Sequence, residues 1–137
     1  MLIVTVCVGC AQAPGGVVGE LVTSTDTARS GVLTARGAIS QWQRGRLPRT
    51  VAAVAVDDAL STTYDALGVI IVLDVPTDAD ERARIDVQQH LSAAVSGVVR
   101  ARRVLHGDAD SEAVRDAANA LDRIGADLDT TSERLTR

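Results

Sequence analysis

The sequence of 137 residues contains no phenylalanine, and Trp42 and Tyr64 are its only aromatic side chains apart from histidine. Hydrophobic residues still make up 46% of the chain, so alanine, valine, leucine and isoleucine must fill the core. Small side chains let helices approach closely and leave little room for an internal cavity. The length is sufficient for one domain with one core, and the composition argues against a large preformed ligand pocket.

Lysine is also absent, since all 14 basic residues are arginine, and the formal net charge is -4 at pH 7. The arginines are scattered except for three within residues 44–49 and three within residues 100–103. Nucleic-acid binding requires a concentrated basic patch, and aromatic side chains that stack on bases commonly assist it. We therefore expect both arginine groups to be solvated and do not expect a nucleic acid as a partner.

The sequence contains no nucleophile elbow, zinc-protease motif, phosphate-binding loop or dinucleotide fingerprint. Asp86 and His90 lie four residues apart, a spacing that can orient an imidazole for metal binding, but the other histidine, His106, is far along the same predicted helix. Asp58 and Asp65 form a carboxylate pair without convergent partners. We predict a protein without enzymatic activity, without a bound metal and without a cofactor.

Cysteine is scarce, and both cysteines, Cys7 and Cys10, lie in an N-terminal leader. Residues 2–13 are apolar and uncharged, as in the hydrophobic region of an export signal, and the stretch is too short to span a bilayer as a helix. Signal cleavage after Ala13 would place Pro14 directly after the scissile bond, which disfavours that site. A redox or zinc role for the C-x-x-C spacing would require a helix start or further thiolates. The apolar leader offers neither, since the sequence has no other cysteine.

Val8, Gly9 and Cys10 resemble the lipobox of bacterial lipoproteins, in which a small residue precedes the cysteine that is diacylated. Cys7 stands where that motif usually has an aliphatic residue. The resemblance implies an export signal over residues 1–9, a lipidated tether over residues 10–17 and an extracytoplasmic location on the cell membrane. Two acyl chains are sufficient for stable anchoring.

From Gly19 onward apolar residues recur at alternating intervals of three and four, which is typical of amphipathic helices that supercoil left-handedly. The repeat is interrupted by glycine or proline near residues 45–48, 74–76 and 107–109. Four helices of similar length joined by short connections favour an all-α fold. We predict an antiparallel up-down-up-down four-helix bundle over residues 18–137.

The helix boundaries are marked by capping residues, with one ambiguous segment. Residues 68–75 (GVIIVLDV) are rich in β-branched side chains and would also suit a buried strand, but a lone strand would lack a pairing partner, so we predict helix to about Leu73. Asp78–Glu81 is interpreted as the capping box of the third helix and Gly107 as its C-cap. The fourth helix is predicted to start near Asp110–Ser111.

The leader with Cys10, the turn over residues 45–51 into an alanine-rich helix and the arginine-rich later helices together resemble the small lipoproteins of mycobacteria and related actinobacteria. Exclusive use of arginine is typical of the GC-rich genomes of such bacteria. The resemblance covers most of the chain and implies a compartment and a fold, but no activity.

Two functional hypotheses follow. The first is a docking module that contacts an envelope protein through Trp42, flanked by Arg44 and Arg46, although a lone tryptophan in a bundle is more commonly packed over the core. The second is a carrier or sensor that holds an acyl chain or a small apolar molecule between the helices, with the run Val69–Leu73 as its lining. The scarcity of large aromatic side chains counts against the carrier.

Overall fold

The computed structural model describes residues 15–137. These residues form four helices, α1 (Val17–Gln43), α2 (Arg49–Ile71), α3 (Asp78–His106) and α4 (Ser111–Leu135). Each helix contacts the next one in sequence, and α1 also contacts α4. The predicted all-α antiparallel four-helix bundle is therefore confirmed. The predicted export signal (residues 1–9), Cys10 as lipidation site and most of the tether (residues 10–17) lie outside the described residues.

Side-chain caps determine where α3 and α4 begin. The Thr77 hydroxyl accepts a hydrogen bond from the Asp80 backbone N–H (3.1 Å) and donates one to the Asp80 carboxylate (2.7 Å). The Asp110 carboxylate accepts from the Ala113 N–H (2.8 Å), which confirms the predicted start of α4. The capping box placed on Asp78–Glu81 is wrong by one residue, because the accepting oxygen belongs to Thr77.

The ambiguous segment 68–75 is helical in its first half. Helix α2 ends at Ile71, and Val72 is its C-cap, so the predicted end near Leu73 is two residues too late. The Leu73 N–H donates to the Ile70 carbonyl (3.4 Å), which tightens the last turn, and the Leu73 side chain packs against the core. The helix prediction over the strand alternative was correct.

The core contains nothing larger than leucine and isoleucine among its fully buried side chains. Helices α1 and α3 contact each other across the diagonal of the bundle, whereas α2 and α4 make no contact within residues 15–137. A cross-section of this kind is a flattened rhombus with α1 and α3 on the short diagonal. Such proximity requires small side chains, and α1 accordingly buries Gly31, Ala28 and Ala35.

Two glycines lie where adjacent helices approach most closely. A Cβ atom at Gly31 of α1 would lie 2.6 Å from Thr63 Oγ1 and 3.0 Å from the Ala59 carbonyl oxygen of α2. A Cβ atom at Gly97 of α3 would overlap Ile124 Cδ1 of α4. Absence of a side chain at these positions therefore sets the spacing of α1 from α2 and of α3 from α4.

The few buried polar side chains are satisfied locally. The hydroxyls of Thr25 and Thr63 each donate 2.7 Å hydrogen bonds to the carbonyl four residues earlier in their helix. Within residues 15–137 no buried side-chain nitrogen or oxygen lacks a hydrogen-bond partner. Over the same residues no helix is both long enough and apolar enough to cross a membrane.

Alanine at Gly31 tests the close approach of α1 and α2. We expect Gly31→Ala to lower the free energy of unfolding by about 1–3 kcal/mol, because the added methyl group meets the Thr63 hydroxyl and the α2 backbone. Gly37→Ala on the same helix is the matched control: its Cβ would meet open space, so helix propensity alone should raise stability by about 1 kcal/mol. Urea denaturation followed by circular dichroism measures both values. Equal stabilisation by the two substitutions would contradict the close packing.

Candidate docking surface

The loop between α1 and α2 begins with a complete Schellman motif. Gly45 has φ +68°, the left-handed conformation that favours glycine, and its N–H donates to the Trp42 carbonyl (2.9 Å). The Arg46 N–H donates to the Gln41 carbonyl (2.9 Å). This pair of bonds closes α1 and fixes the direction of the chain beyond it. Both Arg44 and Arg46 are exposed as a result.

Trp42 is half-buried and packs against the core at this end of the bundle. Together with Gln43 it lines a groove of about 330 Å³ whose other wall is the start of α4, including Ser111 and Val114. The guanidinium carbon of Arg49 lies 5.6 Å from the centroid of the indole ring, within cation–π distance. Trp42 therefore covers the bundle end and presents only part of its ring to solvent.

Arg49, the first residue of α2, caps the C-terminus of α3. Its Nε donates to the Leu105 carbonyl (2.6 Å), and its terminal nitrogen donates to the Val104 carbonyl (3.3 Å) and to the Gly107 carbonyl. Helix C-termini leave carbonyl groups without intrahelical partners and carry a partial negative charge, so a planar cation is well suited there. Arg49 is exposed, as expected for the arginines in residues 44–49, but it also binds the end of α3, which the sequence did not predict.

Asp57 forms a second link between α2 and α3, about two turns of α2 beyond Arg49. Its carboxylate accepts a hydrogen bond from Arg102 Nε (2.6 Å) and lies 3.6 Å from His106 Nε2. All three side chains are about half exposed. Ion pairs of this exposure add little stability but can hold the relative orientation of two helices.

The structure brings Asp86 and His90 together but gives them no third ligand. His90 Nε2 lies 3.8 Å from the Asp86 carboxylate, whose other oxygen accepts a hydrogen bond from Arg134 of α4 (2.8 Å). Asp58 and Asp65 are exposed on α2. Within residues 15–137 no three His, Cys, Asp or Glu side chains converge as a metal site would require.

Two valines that the sequence analysis did not single out extend the surface beside the loop. Val51 and Val54, in the first two turns of α2, are 49% and 60% exposed. Val54 also lines a groove of about 380 Å³ that continues to His106. Their exposure could have been predicted from the sequence, because both valines fall outside the apolar stripe that α2 turns toward the core. We call the exposed set Arg44, Arg46, Val51 and Val54 the distal surface, since α1 begins at the opposite end of the bundle, about 40 Å away.

Replacing Arg49 tests its role at the end of α3. We expect Arg49→Ala to lower the free energy of unfolding by about 1–3 kcal/mol, because three carbonyl groups lose a charged donor. The emission of Trp42, the sole tryptophan, should shift to longer wavelength as the ring loses its cover. Arg46→Ala is the control and should change stability by less than about 0.5 kcal/mol, as is usual at exposed positions.

Urea denaturation monitored by Trp42 fluorescence and by circular dichroism measures both substitutions. Arg49→Lys keeps the positive charge but lacks the planar guanidinium. We therefore expect its free energy of unfolding to lie between that of the unsubstituted protein and that of Arg49→Ala. Identical unfolding curves for Arg49→Ala and Arg46→Ala would show that Arg49 does not cap α3.

Comparison with models of protein families, with curated protein sequences and with solved structures gave no match.

Proposed function

We propose that the chain is a non-enzymatic, lipid-anchored protein of a bacterial envelope whose bundle docks onto a protein partner through the distal surface. The lipobox-like Val8-Gly9-Cys10 supports the anchor. The direction of α1 supports the arrangement, because a tether ahead of Val17 joins the bundle at the end opposite the distal surface. The partner would thus be met on the side that faces away from the membrane.

The observation that carries the proposal is the combination of exposed arginines and exposed valines on a rigid support. Arg44 and Arg46 are exposed in the loop that leads into α2, and Val51 and Val54, in the first two turns of α2, are about half exposed or more. Arginine is enriched at interface hot spots, and apolar side chains beside it supply desolvated area. The Schellman motif and the Arg49 contacts hold the loop in one conformation, which reduces the entropy lost on binding.

The chemistry of the surface indicates an acidic and partly apolar partner. Two arginines in the loop are positive, and the nearby Asp57 is engaged with Arg102 and His106. A carboxylate of the partner can therefore pair with Arg44 or Arg46 while an apolar side chain covers Val54. Association of this kind becomes slower as ionic strength rises, because screening weakens the attraction between the two charged surfaces.

The alternative function, a carrier of an apolar molecule, receives less support from the placement of its proposed lining. Within Val69–Leu73 only Ile70 is fully buried. Val69, Ile71 and Val72 are exposed to solvent rather than directed between the helices. The two grooves described above, beside Trp42 and beside Val54, are likewise open to solvent.

The anchor is tested by substituting each cysteine of the leader. We expect Cys10→Ala to move the protein from the membrane fraction to the soluble fraction of the source cells, because the acylated side chain is lost. Cys7→Ala is the matched control and should leave the protein in the membrane fraction. Mass spectrometry of the mature N-terminal peptide should show a diacylated Cys10. Membrane association that survives Cys10→Ala would contradict the lipid anchor.

Docking is tested by affinity purification of the C-terminally tagged, full-length protein from gently solubilised native envelopes. We expect a stoichiometric protein partner whose recovery falls on the order of tenfold or more in Arg46→Ala and in Val54→Ser, as for hot-spot residues. Arg123→Ala, an exposed arginine on α4, is the matched control and should retain the partner.

Extracted lipids are identified in the same preparations, and recovery of the partner is compared at low and high ionic strength. Equal recovery of the partner with all variants would place the interface elsewhere and contradict the distal surface. A stoichiometric lipid besides the acyl group on Cys10, without any protein, would favour the carrier instead.

A further inference from the structure

Five exposed apolar side chains, from three helices, lie toward the end of the bundle opposite the distal surface. The antiparallel topology places the start of α1, the end of α2 and the start of α3 at this end. The apolar tip, as we call it, comprises Val18 (38% exposed), Val69 (41%), Ile71 (53%), Val72 (80%) and Ile85 (44%). These are five of the nine large apolar residues exposed within residues 15–137.

The end of α2 is apolar and carries no charge of its own. Its C-cap is Val72, and its last turn within Arg49–Ile71 contains no basic side chain. Helices in water commonly end in glycine or asparagine, with cations near the last carbonyls. Leu73, the next residue, packs against the core and holds the turn in place, so Ile71 and Val72 project from a fixed support.

The apolar tip lies close to the proposed site of lipid attachment. Cys10 precedes Val17, the first residue of α1, by seven residues, which span at most about 25 Å when fully extended. Acyl chains on Cys10 would therefore hold the start of α1, and with it the apolar tip, within that distance of the bilayer surface. The distal surface would stand farther away by the length of the bundle.

We infer that the apolar tip inserts into the surface of the bilayer to which the chain is anchored, an inference that rests on the proposed lipid anchor. Insertion covers Ile71 and Val72 with lipid and orients the bundle so that the distal surface faces away from the membrane. Amphipathic helices at membrane surfaces bury their apolar side chains about 5–10 Å deep, at the boundary between headgroups and acyl chains, and we expect a comparable depth for the apolar tip.

Charges around the apolar tip indicate that lipid composition matters little. Asp74 and Asp78 flank the loop after Val72, and Arg82 lies one turn further on. Glu81 is hydrogen-bonded to Arg84 (2.7 Å), which holds the pKa of Glu81 below its ordinary value, so this pair contributes no net charge at neutral pH. A surface that depended on anionic lipids would carry clustered basic residues. Insertion therefore depends on apolar contact and should occur with zwitterionic lipid.

The experiment uses the mature lipidated chain, reconstituted in vesicles of dioleoylphosphatidylcholine with or without doxyl-labelled lipid. Val72→Cys is labelled with an environment-sensitive maleimide fluorophore, and Val54→Cys is the matched control, an exposed valine of α2 about 27 Å away. Adding vesicles should shift the emission of the residue-72 label to shorter wavelength. Doxyl lipid should quench that label at least about threefold more than the residue-54 label, as insertion to the acyl boundary requires.

Failure of the anchor and failure of the inference give different results. Unsubstituted protein takes up no maleimide if Cys10 is acylated, so labelling of that protein would overturn the proposed anchor. If the protein floats with the vesicles but the two labels are quenched equally, the inference is overturned while the anchor stands. Shielding of the residue-72 label before vesicles are added would overturn the inference in favour of cover by the tether. Shielding that grows with protein density, without quenching by lipid, would overturn it in favour of cover by a second copy of the chain.

Discussion

The spacing of the helices depends on small side chains in the core. Without phenylalanine, and with leucine and isoleucine as the largest fully buried residues, α1 and α3 come into contact across the bundle. Gly31 and Gly97 bring each of these helices close to a neighbour in the same way. Closely packed interiors of this type leave little space for a bound molecule, which favours the proposed recognition at the surface.

At one end of the bundle, a single arginine joins three helices through its contacts. Arg49 starts α2, donates to three carbonyls at the end of α3 and lies over Trp42 at the end of α1. Its guanidinium satisfies polar groups that would otherwise require water, and the indole ring shields it on one side. Because this arrangement fixes the loop over residues 44–48, the neighbouring exposed arginines and valines form a surface of defined shape.

The sequence was sufficient to predict the four helices, since the interval of three and four residues depends only on burial of one stripe per helix. Local chemistry also located Gly45, Gly107 and Asp110 at helix ends, and these positions are confirmed. The role of Arg49 was missed because it joins residues 49 and 105, which only the assembled topology brings together. Exposure of Ile71 and Val72 was missed for another reason: the apolar run resembles a buried segment until the helix end is placed at residue 71.

Exposed apolar side chains are concentrated on one helix. Helix α2 exposes Val51 and Val54 near its start, Tyr64 in its middle, and Val69 and Ile71 near its end, whereas α4 exposes no large apolar residue within Ser111–Leu135. The carboxylates of Asp58 and Asp65 are also exposed between the two ends of α2. One continuous partner lying along α2 would have to bury these carboxylates, at a cost in desolvation. The proposed arrangement, with a protein at one end of the bundle and the bilayer at the other, avoids that cost.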